Sequence, residues 1–215
     1  MQWLVALSIL LGLAQTTAAQ DIQPLAPEQL ALDIREAIVR VPVTVKDAFN
    51  KEITGDVLVT TFRPQGAGPF PLVVMNHGRK SETRAQDPRQ RYESIARFFI
   101  RKGFAVAVPQ RLGYGASATS GDPEDSMSCN QPRYQPAGDA AAAQVLAVVA
   151  HMRKDADIDA SRLVIMGQSL GGFTSVAAAA TKPAGLIAAI NFAGGHGGIL
   201  TAPSIDSSIC LNTFV

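Results

Sequence analysis

The chain has 215 residues, 47% of them hydrophobic and 17% charged, which is the balance of a globular domain with a sizeable core rather than of a disordered or fibrous segment. A formal net charge of +1, with the charged residues scattered, supplies no basic field for nucleic acid. The composition therefore points away from nucleic-acid binding and toward a single folded unit, and it does not set the substrate.

At the N-terminus an apolar run from Trp3 to Ala14 is followed by Thr17-Ala18-Ala19, a small-x-small cleavage pattern before Gln20. This predicts a secretory signal over residues 1–19, a secreted or periplasmic mature chain and no stable membrane insertion after signal removal. The n-region has no Lys or Arg, so a short N-terminal anchor and a buried core helix stay open as alternatives. In an oxidising compartment the two cysteines, Cys129 and Cys210, are expected to form a disulfide, with two unpaired thiols as the alternative.

Residues 20–36, with Pro24 and Pro27, read as a surface lead-in. The alternation of Val39, Val41, Val43 and Val45 with Arg40, Pro42, Thr44 and Lys46 predicts a half-buried strand, placed at an edge by Pro42. A turn over 50–55 and a strand over 56–62 make an antiparallel pair with it. From residue 70 short apolar runs alternate with helical patterns, which argues for parallel strands covered on both faces. The spacing predicts strands over 71–76, 104–108, 162–166 and 186–192, and helices over 89–102, 139–153 and 170–181. The Gly-, Pro- and Asp-rich stretch 109–138 is too long for an ordinary connection and reads as a functional excursion.

The strongest local signal is Gly167-Gln168-Ser169-Leu170-Gly171, between an apolar strand and an Ala-rich helix. Small residues two before and two after the serine permit a strained strand-to-helix turn that holds the hydroxyl clear of the backbone. Ser169 is thus the candidate nucleophile, with a helix-capping serine as the plain alternative. The amide of Leu170, at the helix mouth, is a natural oxyanion donor. A second donor is expected from the loop His77-Gly78-Arg79, as the main-chain N–H of Arg79 or of Gly78. His77 is then structural.

Three runs, Pro71-Leu72-Val73-Val74-Met75-Asn76-His77-Gly78, Arg111-Leu112-Gly113-Tyr114-Gly115-Ala116-Ser117 and Gly167-Gln168-Ser169-Leu170-Gly171-Gly172, together resemble the α/β-hydrolase superfamily. More narrowly the chain is similar to secreted dienelactone-hydrolase-like and prolyl-oligopeptidase-like serine hydrolases. The resemblance implies an α/β fold, a mostly parallel sheet with helices on both faces, over a domain at 37–215 that is incomplete at its C-terminal end. Dienelactone hydrolases proper use a Cys nucleophile, and here the position is Ser169, so their substrate is not carried over.

In that superfamily the acid and then the His follow the nucleophile along the chain. Here Asp206 is the one acid after Ser169, and no His follows it. His151 falls on the helix before the nucleophile strand, and Asp155, Asp157 and Asp159 precede that strand at its far end. His196, after Asn191-Phe192-Ala193-Gly194-Gly195, leaves the same sheet edge as Ser169 and is the candidate near-site residue. The expectation is a serine hydrolase for a carboxylic ester or lactone, with a peptide or amide as the alternative substrate. A catalytically incomplete fragment and a non-catalytic binding module on the same fold are the competing readings. No C-x-x-C or H-x-x-x-H spacing occurs, so neither metal nor cofactor is expected.

Overall fold

A computed structural model describes residues 29–80, 82–127 and 130–195. Residues 1–19, Cys129, His196, Asp206 and Cys210, and with them the signal, disulfide and near-site expectations, lie outside the described residues.

Six strands form one sheet: β1 Ala37–Lys46, β2 Glu52–Phe62, β3 Phe70–Asn76, β4 Ala105–Gln110, β5 Ile158–Gln168 and β6 Leu186–Phe192. Their spatial order is β1-β2-β4-β3-β5-β6, with β1 and β2 antiparallel and β3 to β6 parallel. Three helices cover the sheet: α1 Glu93–Arg101, α2 Tyr134–Met152 and α3 Leu170–Ala180. This is the α/β-hydrolase architecture expected from the three motif runs.

Strand alternation explains the two layers of core. In β3, Leu72 and Val74 face one side with Ala107, Leu163 and Ile165 and pack beneath Val145, Val148, Val149 and Met152 of α2. Val73 and Met75 face the other side with Val106, Val108, Val164 and Met166, beneath Ala96, Ile95 and Phe99 of α1. All seven residues of β3 and all six of β4 are buried, whereas β6, at the edge, leaves Ile187 and Phe192 exposed. A strand buried on both faces has no polar side to show, hence the unbroken apolar runs.

Four boundaries differ from the sequence expectation. The hairpin turn spans Asp47 to Lys51, because the Asp47 carboxylate accepts the N–H groups of Phe49 and Lys51 at 2.8 and 3.0 Å, and β2 starts at once. Helix α1 starts at Glu93, since Tyr92 adopts a left-handed conformation (φ 47°) and the preceding Arg89 and Arg91 are tied to Glu36. Helix α2 starts at Tyr134, five residues early, because Pro136 sits in its first turn, where a missing N–H costs nothing. Strand β5 runs eleven residues rather than five. The lead-in is also more than surface: Ile34 and Glu36 are buried, and the Glu36 carboxylate takes Arg89 at 2.7 Å, Arg91 and the Ala31 N–H.

Candidate active site

Ser169 occupies the junction of β5 and α3 with φ 54° and ψ −129°, a conformation an L-residue holds only when its surroundings enforce it. Its N–H donates to Phe192 of β6 at 2.8 Å, and its C=O accepts the N–H groups of Gly172 and Phe173 at 2.8 and 3.1 Å. The turn is therefore locked from both sides, and the side chain remains half-exposed. Gly167 and Gly171 make this turn possible: a Cβ on Gly167 would collide with the Gly171 carbonyl, and one on Gly171 with the carbonyl of Asn76. Gln168 is exposed beside the serine. Among the described residues Ser169 Oγ has no hydrogen-bond partner. Leu170 is the first residue of α3, so its N–H lies at the positive end of the helix with no carbonyl of its own helix to meet.

The loop after β3 comes to the same place. The Cβ position of Gly78 lies 3.3 Å from Ser169 Cβ and 3.8 Å from Ser169 Oγ, so any larger residue would press on the serine. His77, on one side of it, is buried, accepts the Arg111 N–H on Nε2 at 3.2 Å and meets the Gly78 carbonyl with Nδ1 at 2.7 Å. These partners assign the imidazole proton to Nδ1, and both ring nitrogens are taken. Burial, then the Arg111 charge, holds the His77 pKa well below its ordinary value, so the ring is neutral. Because a trans peptide directs its C=O and N–H to opposite sides, pinning the Gly78 carbonyl to His77 turns the Arg79 N–H away from that ring.

The Arg79 side chain is engaged separately. It forms a forked pair with Asp122 at 2.7 and 3.3 Å and donates to the Tyr114 hydroxyl at 3.1 Å. Burial opposes its charge, but the Asp122 carboxylate outweighs that and raises its pKa. Deeper in, Arg111 and Glu124 make a buried pair at 2.6 Å, extended by Gln144, which donates to Glu124 at 3.0 Å and accepts the Leu112 N–H at 2.7 Å. Arg111, Glu124 and Gln144 are all fully or almost fully buried, and nothing in the motif grammar announced their pairing. The one legible sign was Gln144 itself, a polar residue four before Val148 on the apolar face of α2.

Other candidates are kept apart from Ser169. His151 lines a cleft of about 280 Å³ with Val39, Thr61, Arg63 and Lys154, none of which belongs to the β5–α3 junction or the 77–79 loop. Asp155 lies in the same cleft, before the start of β5, whose Ile158 to Gly167 run beside the seven residues of β3 and so put about 20 Å between that cleft and the serine. Among the described residues no group of three or more His, Cys, Asp or Glu gathers that could hold a metal, and no helix is long and apolar enough to cross a membrane.

The model of the X-Pro dipeptidyl-peptidase (S15) family matches residues 55–199, which contain the elbow, the 77–79 loop, most of β2 and all of β3 to β6. The chain belongs to the X-Pro dipeptidyl-peptidase family. That membership agrees with the α/β-hydrolase resemblance of the three motif runs. Solved structures similar to this S15-family chain include a 2,6-dihydroxy-pseudo-oxynicotine hydrolase at 20% identity, covering 73% of this chain and 37% of that one, with a TM-score of 0.49. A Pyrococcus horikoshii acylaminoacyl peptidase is 17% identical, covers 74% and 23%, and has a TM-score of 0.47. A dienelactone hydrolase described as putative, from Klebsiella pneumoniae subsp. pneumoniae MGH 78578, is 19% identical, covers 70% and 57%, and has a TM-score of 0.44. The chain thus spans less than two thirds of the length of each. No curated protein matches it.

Proposed function

We propose that this chain carries the nucleophile and oxyanion hole of a serine hydrolase that cleaves a carboxylic ester or lactone through a Ser169 acyl-enzyme. The observation that carries the reading is the enforced backbone of Ser169, φ 54° and ψ −129°, with the Gly78 Cβ position 3.8 Å from its Oγ. In the acylation step Ser169 Oγ bonds to the substrate carbonyl carbon, and its proton passes to a general base. The carbonyl π pair moves onto oxygen, which the N–H groups of Leu170 and Arg79 meet, and it returns as the alcohol leaves with a proton. Water then repeats the sequence on the acyl-enzyme. The base and the acid that orients it are not supplied by the described residues, since His77 has no free nitrogen, His151 lies in the distant cleft and Asp206 is outside the described residues. His196, the residue after Gly195, is the candidate to test.

Peptide or amide substrates form the second reading, favoured by membership of a family named for a dipeptidyl-peptidase. A secreted or periplasmic location rests on the Met1–Ala19 pattern, and N-terminal sequencing of exported protein tests it.

The deciding experiment treats the full chain with a fluorophosphonate and compares Ser169→Ala. Rapid modification lost in the variant supports the activated serine. Equal modification of both proteins, or none of soluble wild type, rejects it in favour of a catalytically incomplete hydrolase or a non-catalytic module. Turnover of a p-nitrophenyl ester against an X-Pro anilide separates the two substrate classes, and loss of either activity in His196→Ala assigns the base.

A further inference from the structure

The segment at the end of β4, Arg111 to Ser117, takes no part in the reaction as drawn, yet its Tyr114 is fully buried beside the oxyanion loop. Tyr114 meets both residues that flank Gly78. Its ring packs in a T-shape with that of His77, with centroids 4.5 Å apart, and its hydroxyl oxygen accepts Arg79 Nη1 at 3.1 Å. The hydroxyl proton goes to Glu124 Oε2 at 3.2 Å. Glu124 holds Arg111 through its other oxygen, and Arg111 returns to the loop with Nη2 on the His77 carbonyl at 3.1 Å and its main-chain N–H on His77 Nε2. The ring of contacts closes on itself around Gly78.

We propose, on the basis of the catalytic reading above, that Tyr114 is a positioning residue of the oxyanion hole, acting through Arg79 and His77 to hold the Gly78–Arg79 peptide in register with Ser169. A glycine loop left to itself samples many backbone conformations, and a donor displaced by about 1 Å loses most of its effect on a developing oxyanion. Tyr114 removes that freedom at both flanks, with its ring on one and its hydroxyl on the other. Asp122 is the second grip on the same guanidinium. The phenol keeps its proton throughout the neutral range, because burial and the Glu124 carboxylate push its pKa up.

The test measures the maximal rate and the half-saturating concentration of fluorophosphonate modification at Ser169 in the full chain. Wild type, Tyr114→Phe, Asp122→Asn and the double variant are compared, with melting temperatures alongside. The expected result is a maximal rate about 10-fold lower in Tyr114→Phe with half-saturation within about twofold. The double variant should lose less than the product of the two single losses, because both act through Arg79. An unchanged rate in folded Tyr114→Phe, or strictly multiplicative losses, overturns the proposal. Should Tyr114→Phe not fold, Asp122→Asn alone decides, and an unchanged rate there overturns it equally. Wild type that is not modified at Ser169 sinks the catalytic reading and this inference with it, whereas equal modification of wild type and Tyr114→Phe removes only the role of Tyr114.

Discussion

Gly171, in the first turn of α3, stands directly against the main chain of Asn76 at the end of β3. A methyl group there would strike the Asn76 carbonyl and lie 2.6 Å from the carbonyl oxygen of His77. The helix that presents the nucleophile and the loop that presents the oxyanion donor are thus held at contact distance by the absence of one side chain. Gly171→Ala must push them apart, and overpacking of this kind costs about 1–3 kcal/mol. Urea unfolding should show that loss, together with slower fluorophosphonate modification of Ser169; a variant as stable as wild type would contradict the rigid contact.

His77 should make stability depend on pH in the mildly acidic range. Folded, its imidazole stays neutral because burial, then Arg111, depresses its pKa; unfolded, it protonates below about pH 6.5. Below that value the unfolded state binds the extra proton, so stability falls as pH falls, by up to about 1.4 kcal/mol per pH unit, while above it the term is flat. Denaturant titrations at about pH 7.5 and about pH 5.5 should differ by that order. The difference should shrink in a folded His77→Gln variant, and identical slopes in the two proteins would assign the pH dependence elsewhere.

Glu36 is the anchor of the segment leading into α1. Its side chain is fully buried between Arg89 and Arg91, and although burial works to raise its pKa, Arg91, the Ala31 N–H and Arg89 bring the net shift downward. Glu36→Ala leaves Arg89, itself almost buried, without this carboxylate. The expected destabilisation is about 3–5 kcal/mol, read by chemical denaturation, and a loss under about 1 kcal/mol would mean the arginines find other partners easily.

Gln144 joins α2 to the 111–124 excursion by accepting the Leu112 N–H and donating to Glu124. Gln144→Leu keeps the volume and strands the Leu112 N–H in the interior, at about 1–3 kcal/mol, while Glu124 keeps Arg111 and Tyr114. Thermal unfolding should register the loss, and the Leu112 amide should exchange faster with solvent. Unchanged exchange would show that this hydrogen bond does not hold the excursion.

Much of the fold was legible because its signals are local. Four apolar runs interrupted by helical spacing argued for parallel strands, covered in β3 and β4 but not at the β6 edge, and the β1 valines alternate with polar residues because one face of that strand meets solvent. The elbow was equally legible, since Gly167 and Gly171 flank Ser169 at the spacing a strand-to-helix turn demands. Boundaries shifted wherever a distant partner intervened: Glu36 delays α1 by holding Arg89 and Arg91, fifty-odd positions away in sequence.

By itself the sequence determined the sheet class, the strand-to-helix serine and the loop opposite it, because periodicity and glycine placement act within a few residues. Only the tertiary structure decided that His77 is locked as a neutral structural ring, that Arg79 faces Asp122 and Tyr114, and that Arg111, Glu124 and Gln144 meet in the interior. Those partners of Arg79, Arg111 and Gln144 lie between 13 and 43 positions away along the chain. A buried charge is tolerable only where its counter-charge arrives through folding, so its identity is written in three dimensions and not in any local pattern.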